Sequence, residues 1–281
     1  MAEARILYVA TTDGLIQLAN PGKSDRWREV GRALQGQDVR AVVASPLDPL
    51  LVYAATVQGV SRSANGGQSW TVVDAQPVRT LAFDQAGSVY AGTERGLVLS
   101  SADGTTWQAA DAFAGPVVQI VVGSDDTLLS VGADGTVCQR TPEGWVPRAI
   151  HVPHVRGLVP SAAEPHTLYI VNQTSLVTPL GTQRLASRPT GALLTLRGGS
   201  EVLLIGTEGT LLRSEDACYS LSEVPGPERA AVLVSPPRFV DQAFAGTQGG
   251  ELWFSADRGR NWQQLWSGDA AIRGIAFARA L

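Results

Sequence analysis

The chain has 281 residues, 44% hydrophobic and 17% charged, with 30 glycines, 16 prolines and one methionine. That balance supports a packed core and excludes a disordered or low-complexity chain. A formal net charge of −4, with lysines and arginines scattered, argues against a nucleic-acid binder. The two cysteines, Cys138 and Cys218, belong to no CxxC or Cys/His cluster, so neither a disulfide framework nor a zinc site is expected. No stretch approaches the apolar length of a membrane span. The opening MAEARILYVATT lacks the basic, apolar and small-residue regions of a signal peptide. The expectation is a soluble, cytoplasmic protein with no membrane insertion.

In chain order the first recurring element is an apolar run closed by a threonine or small residue and a turn. It reads LYVATTDG from Leu7, VYAATVQG from Val52, VYAGTERG from Val89 and LLSVGADG from Leu128. It returns as LYIVNQTS from Leu168, LLIGTEG from Leu203 and AFAGTQGG from Ala243. A second element precedes each later copy: DVRAVVAS from Asp38, PVRTLAFD from Pro77, PVVQIVVG from Pro116 and HVRGLVPS from His154. TGALLTLR from Thr190 and RAAVLVSP from Arg229 continue the series, and AIRGIAFA from Ala271 ends it. Seven pairs of short strands at a spacing of about forty residues predict an all-β, seven-bladed β-propeller of four-stranded antiparallel blades. The N-terminus begins with the second strand type, so the first blade must take its inner strand from the C-terminus. The predicted blades are 1–35 plus 271–281, 38–75, 77–112, 116–150, 154–188, 190–225 and 229–268, forming one domain over 1–281.

Between the third and fourth strands of some repeats lies a compact turn. Ser255-Ala256-Asp257-Arg258-Gly259-Arg260-Asn261-Trp262 fits S-x-D-x-G-x-x-W throughout. Ser63, Asn65, Gly67 and Trp70 fit it with Asn for Asp, and Ser101, Asp103 and Trp107 form a copy one residue shorter. A short carboxylate or amide can accept its own turn's N–H groups, glycine supplies positive φ, and tryptophan fills the space between strands. In the sixth repeat Ser214-Glu215-Asp216 keeps the opening, but Cys218 and Leu221 replace glycine and tryptophan, so this copy reads as decayed. Trp27 and Trp145 read as remnants of degenerate copies, and the fifth repeat shows none.

These turns, with the YAGT-type strands, resemble the Asp-box (bacterial neuraminidase repeat) propellers. That superfamily includes sialidases, xyloglucanases, sortilin-type receptors and a photosystem II assembly and stability factor. The seven repeats and the V-R-x-L-A-F strands look nearest to the assembly-factor branch, which implies a non-enzymatic, chaperone-like role. The resemblance also implies that the boxes are fold staples on the face opposite the functional one.

A sialidase-like site would need an arginine triad, a tyrosine nucleophile and an Arg-Ile-Pro motif. Arg5-Ile6-Leu7 lacks the proline, and Tyr8, Tyr53, Tyr90 and Tyr169 share one repeat position, which marks packing. Asp13, Glu94, Asp134 and Glu208 come from equivalent hairpins and are secondary candidates for a ring of carboxylates on one face; turn chemistry also accounts for them. His151 and His154 make half a metal site at best. With no GxxxxGK[ST] or GxGxxG motif, no cofactor and no metal are expected. Arg40, Arg79, Arg156 and Arg273 stand at one place near the start of four inner strands, with Gln119 assigned the equivalent place in another. They are the channel-mouth binding candidates, suited to carboxylate or phosphate recognition, or else to ion pairing with neighbouring blades. The inter-blade loops of the same face, Gly31 to Gln37 among them, and Trp266 are further candidates. The sequence thus points to a non-catalytic scaffold for a protein partner in assembly or stabilisation of a complex. A lectin or divergent glycosidase is the alternative.

Overall fold

The computed structural model describes residues 5–21, 26–164, 166–236 and 239–279, with Arg279 described by its backbone alone. Residues 1–4, on which part of the signal-peptide reading rests, lie outside these, as do 280 and 281, assigned above to the first blade. Seven four-stranded antiparallel sheets make up the fold, and no helix of the described residues could cross a membrane.

The inner strands are Val39–Ala44, Val78–Phe83, Val117–Val122, Gly157–Pro160, Pro189–Leu196, Ala230–Val234 and Ile272–Arg279. The last pairs with Arg5–Thr11, placing Leu7 opposite Phe277 and Val9 opposite Ile275. The Thr12 N–H adds a bond to the Ala271 carbonyl at 3.0 Å. The C-terminal strand therefore completes the first blade, as the offset of the repeats predicts. Each inner strand adjoins the inner strands of both neighbouring blades, and the series closes on itself.

Second strands such as Val52–Thr56 and Val202–Thr207 are buried along their whole length, because adjacent blades cover both faces. Outer strands such as Gly181–Arg184 are exposed throughout. Inner strands are less evenly covered: Val39 and Val42 are buried and Arg40, Ala41 and Val43 partly so, and residues 40–43 line a central cavity of about 380 Å³. Apolar residues gather into seven clusters, one at each blade boundary. The one closing the ring joins Leu7, Val9, Leu18 and Ile272 of the first blade to Phe244, Leu252 and Phe254 of the seventh. Each such side chain contributes about 1.5–3 kcal/mol when fully buried, so the ring is stabilised boundary by boundary.

Second strands end on a repeated threonine that closes the hairpin. Thr11 Oγ1 donates to the Gly14 carbonyl at 2.9 Å and accepts from the Asp13 N–H at 3.1 Å. Thr56 and Thr207 do the same. This local turn explains the threonine in most of the repeats.

The serine–aspartate turns lie at the other end of the strands. Ser255 Oγ donates to Asp257 Oδ1 at 2.8 Å and accepts from the Gly259 N–H at 2.9 Å. Asp257 also accepts from the Arg260 and Asn261 N–H groups, and Trp262 Nε1 donates to the Gly259 carbonyl at 3.1 Å. Ser63, Asn65, Gly67 and Trp70 repeat this pattern, and Ser101 and Asp103 repeat its carboxylate half. Trp107 instead packs edge-on against Tyr53, with ring centroids 6.3 Å apart.

The sixth-blade copy, expected to be decayed, keeps the serine and aspartate hydrogen bonds of the turn and lacks the indole bond, since Leu221 stands where the others have tryptophan. Ser214 Oγ donates to Asp216 Oδ1 at 2.8 Å, and the Cys218 N–H donates to Ser214 Oγ at 3.0 Å. Ala217 and Cys218 hold φ of 54° and 72° without glycine. The Ser and Asp hydrogen bonds override the local preference of those two residues.

Candidate functional site

The strand order fixes two faces. Inner strands start, hairpins between second and third strands turn, and blades connect, all on one face; the serine–aspartate turns lie on the other. Arg40, Arg79, Arg156 and Arg273 therefore meet at one mouth of the central cavity, which all four line.

They do not form a bare cationic ring. Glu94, reaching in from its hairpin, accepts from Arg40 Nη1 at 2.5 Å and Arg79 Nε at 2.8 Å, both on one oxygen. Asp38 lies 3.7 Å from Arg40 Nε and 3.6 Å from Arg273 Nε. The chain Arg273–Asp38–Arg40–Glu94–Arg79 thus crosses the first three blades. Burial works to raise the Glu94 carboxyl, but the hydrogen bonds from Arg79 and Arg40 outweigh it and hold it below the usual range. Arg156 has no carboxylate partner among the described residues; its Nη1 donates to the Pro189 carbonyl of the next blade at 3.2 Å. Four guanidiniums face two carboxylates, leaving an excess of two positive charges on an acidic chain. Arg79 and Arg273 keep 43% and 50% of their side chains exposed.

Gln119 is not the equivalent of these arginines. In the second and third blades the ladder skips from Val39 to Ala41 and from Val78 to Thr80, leaving Arg40 and Arg79 as bulged residues. The fourth blade skips from Val117 to Gln119, so the bulged residue is Val118. Gln119, one place on, accepts the Leu158 N–H of the fifth blade at 2.9 Å and joins two inner strands.

The hairpin carboxylates each have a separate partner. Asp13 accepts the Gly36 N–H at 3.1 Å, and Asp134 accepts the Thr136 N–H and hydroxyl at 3.0 and 2.8 Å. Glu208 lies 3.8 Å from Arg188, both half exposed, a pair of little energetic weight. Glu94 belongs to the arginine chain instead. His151 ends the outer strand Gly144–His151 and His154 stands in the connection after it, both exposed, and no group of three His, Cys, Asp or Glu suited to a metal occurs among the described residues. Cys138 and Cys218 are buried free thiols.

A second cavity, about 540 Å³, opens on the same face between the seventh and first blades. It brings together Asp13 with Thr12 of its hairpin, Arg32 of the outer strand Arg28–Ala33 with Gln35 of the connection after it, and Trp266 of the outer strand Gln263–Ser267 with Asp269 of the last connection. Glu29 holds two of these in place. It accepts from Arg32 Nε at 2.6 Å and Nη2 at 3.1 Å, and from Trp266 Nε1 at 3.2 Å. The Arg32 hydrogen bond lowers the Glu29 carboxyl and outweighs its burial. Asp38, Glu29 and Asp269 escape sequence reasoning because none recurs from blade to blade; Arg32 falls within the Gly31 to Gln37 stretch offered as a candidate.

Comparison with known proteins gives the fold and little more. Residues 27–163, just under half of the chain, match the family model described as DUF6242 beta propeller domain. No curated protein matches the chain. Among solved structures, a chain of the Mitotic Checkpoint Complex superposes with a TM-score of 0.68 at 12% identity, covering 93% of this chain and 88% of that one. Virginiamycin B lyase from Staphylococcus aureus superposes at 0.63 and 12% identity, covering 90% and 87%.

Proposed function

We propose that this propeller is a non-catalytic binding scaffold that engages a protein partner through its arginine-bearing face. The observation that carries this reading is the channel mouth, where four guanidiniums outnumber two carboxylates on a chain of net charge −4. Exposed guanidiniums there suit an acidic segment of a partner. The separate engagement of Asp13, Glu94, Asp134 and Glu208 supports a binding role over glycoside hydrolysis, which needs two carboxylates facing one bond. We further infer from the S-x-D-x-G-x-x-W turns a place among the Asp-box propellers, with the photosystem II assembly-factor-like branch nearest in pattern. The checkpoint-complex neighbour, a component of a multiprotein assembly, fits the same reading at the level of fold. The test is capture from native extract with the wild-type chain and with R79E/R156E. A defined partner retained by the first and lost by the second is the expected result. Equal retention by both removes the channel mouth from the account.

A further inference from the structure

We propose that the central channel binds a small amphipathic anion, with the negative head on the mouth arginines and an apolar chain in the channel below them. This goes beyond the protein-binding reading: it shares the arginines with that reading but needs no macromolecular partner.

Three observations carry the assignment. The first is the charge of the lining. Four arginines line the cavity, and no acidic residue does so among the described residues. Glu94 and Asp38 pair with the guanidiniums without joining that lining. Arg79 is held through Nε and Arg156 through Nη1, so both keep N–H groups that can donate to an anion. The second is that the neutral polar side chains of the lining already bind backbone groups. Thr80 Oγ1 accepts the Ile120 N–H at 3.2 Å, Gln119 Oε1 accepts the Leu158 N–H at 2.9 Å, and Thr190 Oγ1 donates to the Ala230 carbonyl. The third is the wall. Residues 40–43 and 231–234 each line the cavity over four strand positions, a rise of about 13 Å. Below the arginines the wall is apolar and only partly covered at Ala41, Val43, Leu193, Ala231, Val232 and Val234. The volume, about 380 Å³, lies within the ordinary range of small-ligand sites.

The ligand class follows from the two halves. A bare anion would satisfy the guanidiniums and leave the apolar wall wet. A neutral apolar molecule would cover the wall and strip water from arginines it cannot pair. A cation is repelled by the positive surplus. A molecule with both parts matches the whole channel. Glu94 and Asp38 also hold Arg40, Arg79 and Arg273 at the mouth before a ligand arrives, which reduces the ordering cost of binding.

The experiment is calorimetric titration of the whole chain with acetate, hexanoate, octanoate, octyl phosphate, octylamine and octanol, all below their micelle concentrations. The expected result is saturable binding of octanoate or octyl phosphate, and which of the two is tighter identifies the head. Affinity should rise about three- to fourfold for each methylene from hexanoate to octanoate. Octylamine and octanol should bind about tenfold more weakly or worse. R156Q should narrow the gap between octanoate and octanol, which a merely structural role for Arg156 would not do. A231L, which fills the wall and leaves the arginines in place, should weaken octanoate more than hexanoate. Should A231L fail to fold, the chain-length series and R156Q decide. The proposal is overturned if neither octyl anion binds, if acetate binds as tightly as octanoate, if octylamine matches the anions, or if R156Q leaves the preference for anions unchanged. Capture of a protein partner from extract is a separate readout, so either result can fail while the other stands.

Discussion

The Tyr53 hydroxyl donates to the Gly104 carbonyl at 3.0 Å, joining a second strand of one blade to the serine–aspartate turn of the next. The relation recurs: Gly67 lies over Tyr8, Gly259 over Leu204, and Cys218 packs in one cluster with Tyr169. Where the first blade retains only Trp27, that ring packs edge-on against Phe244 at 5.7 Å. The turns therefore join neighbouring blades as well as closing their own hairpins.

This predicts unequal costs for glycine replacement. A Cβ on Gly104 would stand 1.8 Å from the Tyr53 hydroxyl, while one on Gly36, in the first inter-blade connection, meets nothing within 4 Å. Both positions hold a left-handed φ, 71° and 75°, so each pays backbone strain of about 1–2 kcal/mol. G104A adds a clash, and its loss of stability in denaturant titration should exceed that of G36A by about 1 kcal/mol or more.

Ala217 offers the opposite case. It is exposed and held at a φ of 54°, where the second-blade turn has Gly66. A217G should raise stability by about 0.5–1 kcal/mol, since the strain relieved exceeds the entropy added to the unfolded chain. A fall in the melting midpoint would show that Ala217 carries no strain.

Asp257 lies on the face away from the channel mouth and is engaged by its own turn. D257A should cost about 1–2 kcal/mol of stability and leave partner capture unchanged. Lost capture at an unchanged melting midpoint would place binding on the wrong face.

Glu94 gives a pH signature. Its carboxyl sits lower in the folded chain than in the unfolded one, so its contribution is present above the ordinary glutamate range and lost as pH falls through the folded value. E94Q should be less stable than wild type at pH 7, by under about 1 kcal/mol because the group is partly exposed. The two should converge in acid, as followed by urea melts from pH 7 to pH 3.

Much of the fold was legible because each blade repeats the same physical demand. Leu7, Val52 and Val89 open strands covered on both sides, and Thr11, Thr56 and Thr93 close the same turn, so period and residue type agree. The sixth-blade turn was misread because Cys218 occupies a glycine conformation that the Ser214 and Asp216 hydrogen bonds impose. Gln119 was misassigned because the residue in register with Arg40 is Val118, whose type gives no sign of the channel mouth. The arginines could be placed from their recurrence. Asp38, which ties Arg40 to Arg273, could not, since it occurs in one blade only. The seam cavity draws on residues 11–16, 32–35 and 266–270, which only ring closure brings together.

The most direct test places a photo-crosslinking amino acid at Arg79 on the channel mouth or at Arg260 on the opposite face, then irradiates each chain in native extract. The account predicts a discrete crosslinked protein from position 79 and none from position 260. The same adduct from position 260 alone, or from both positions equally, would contradict it.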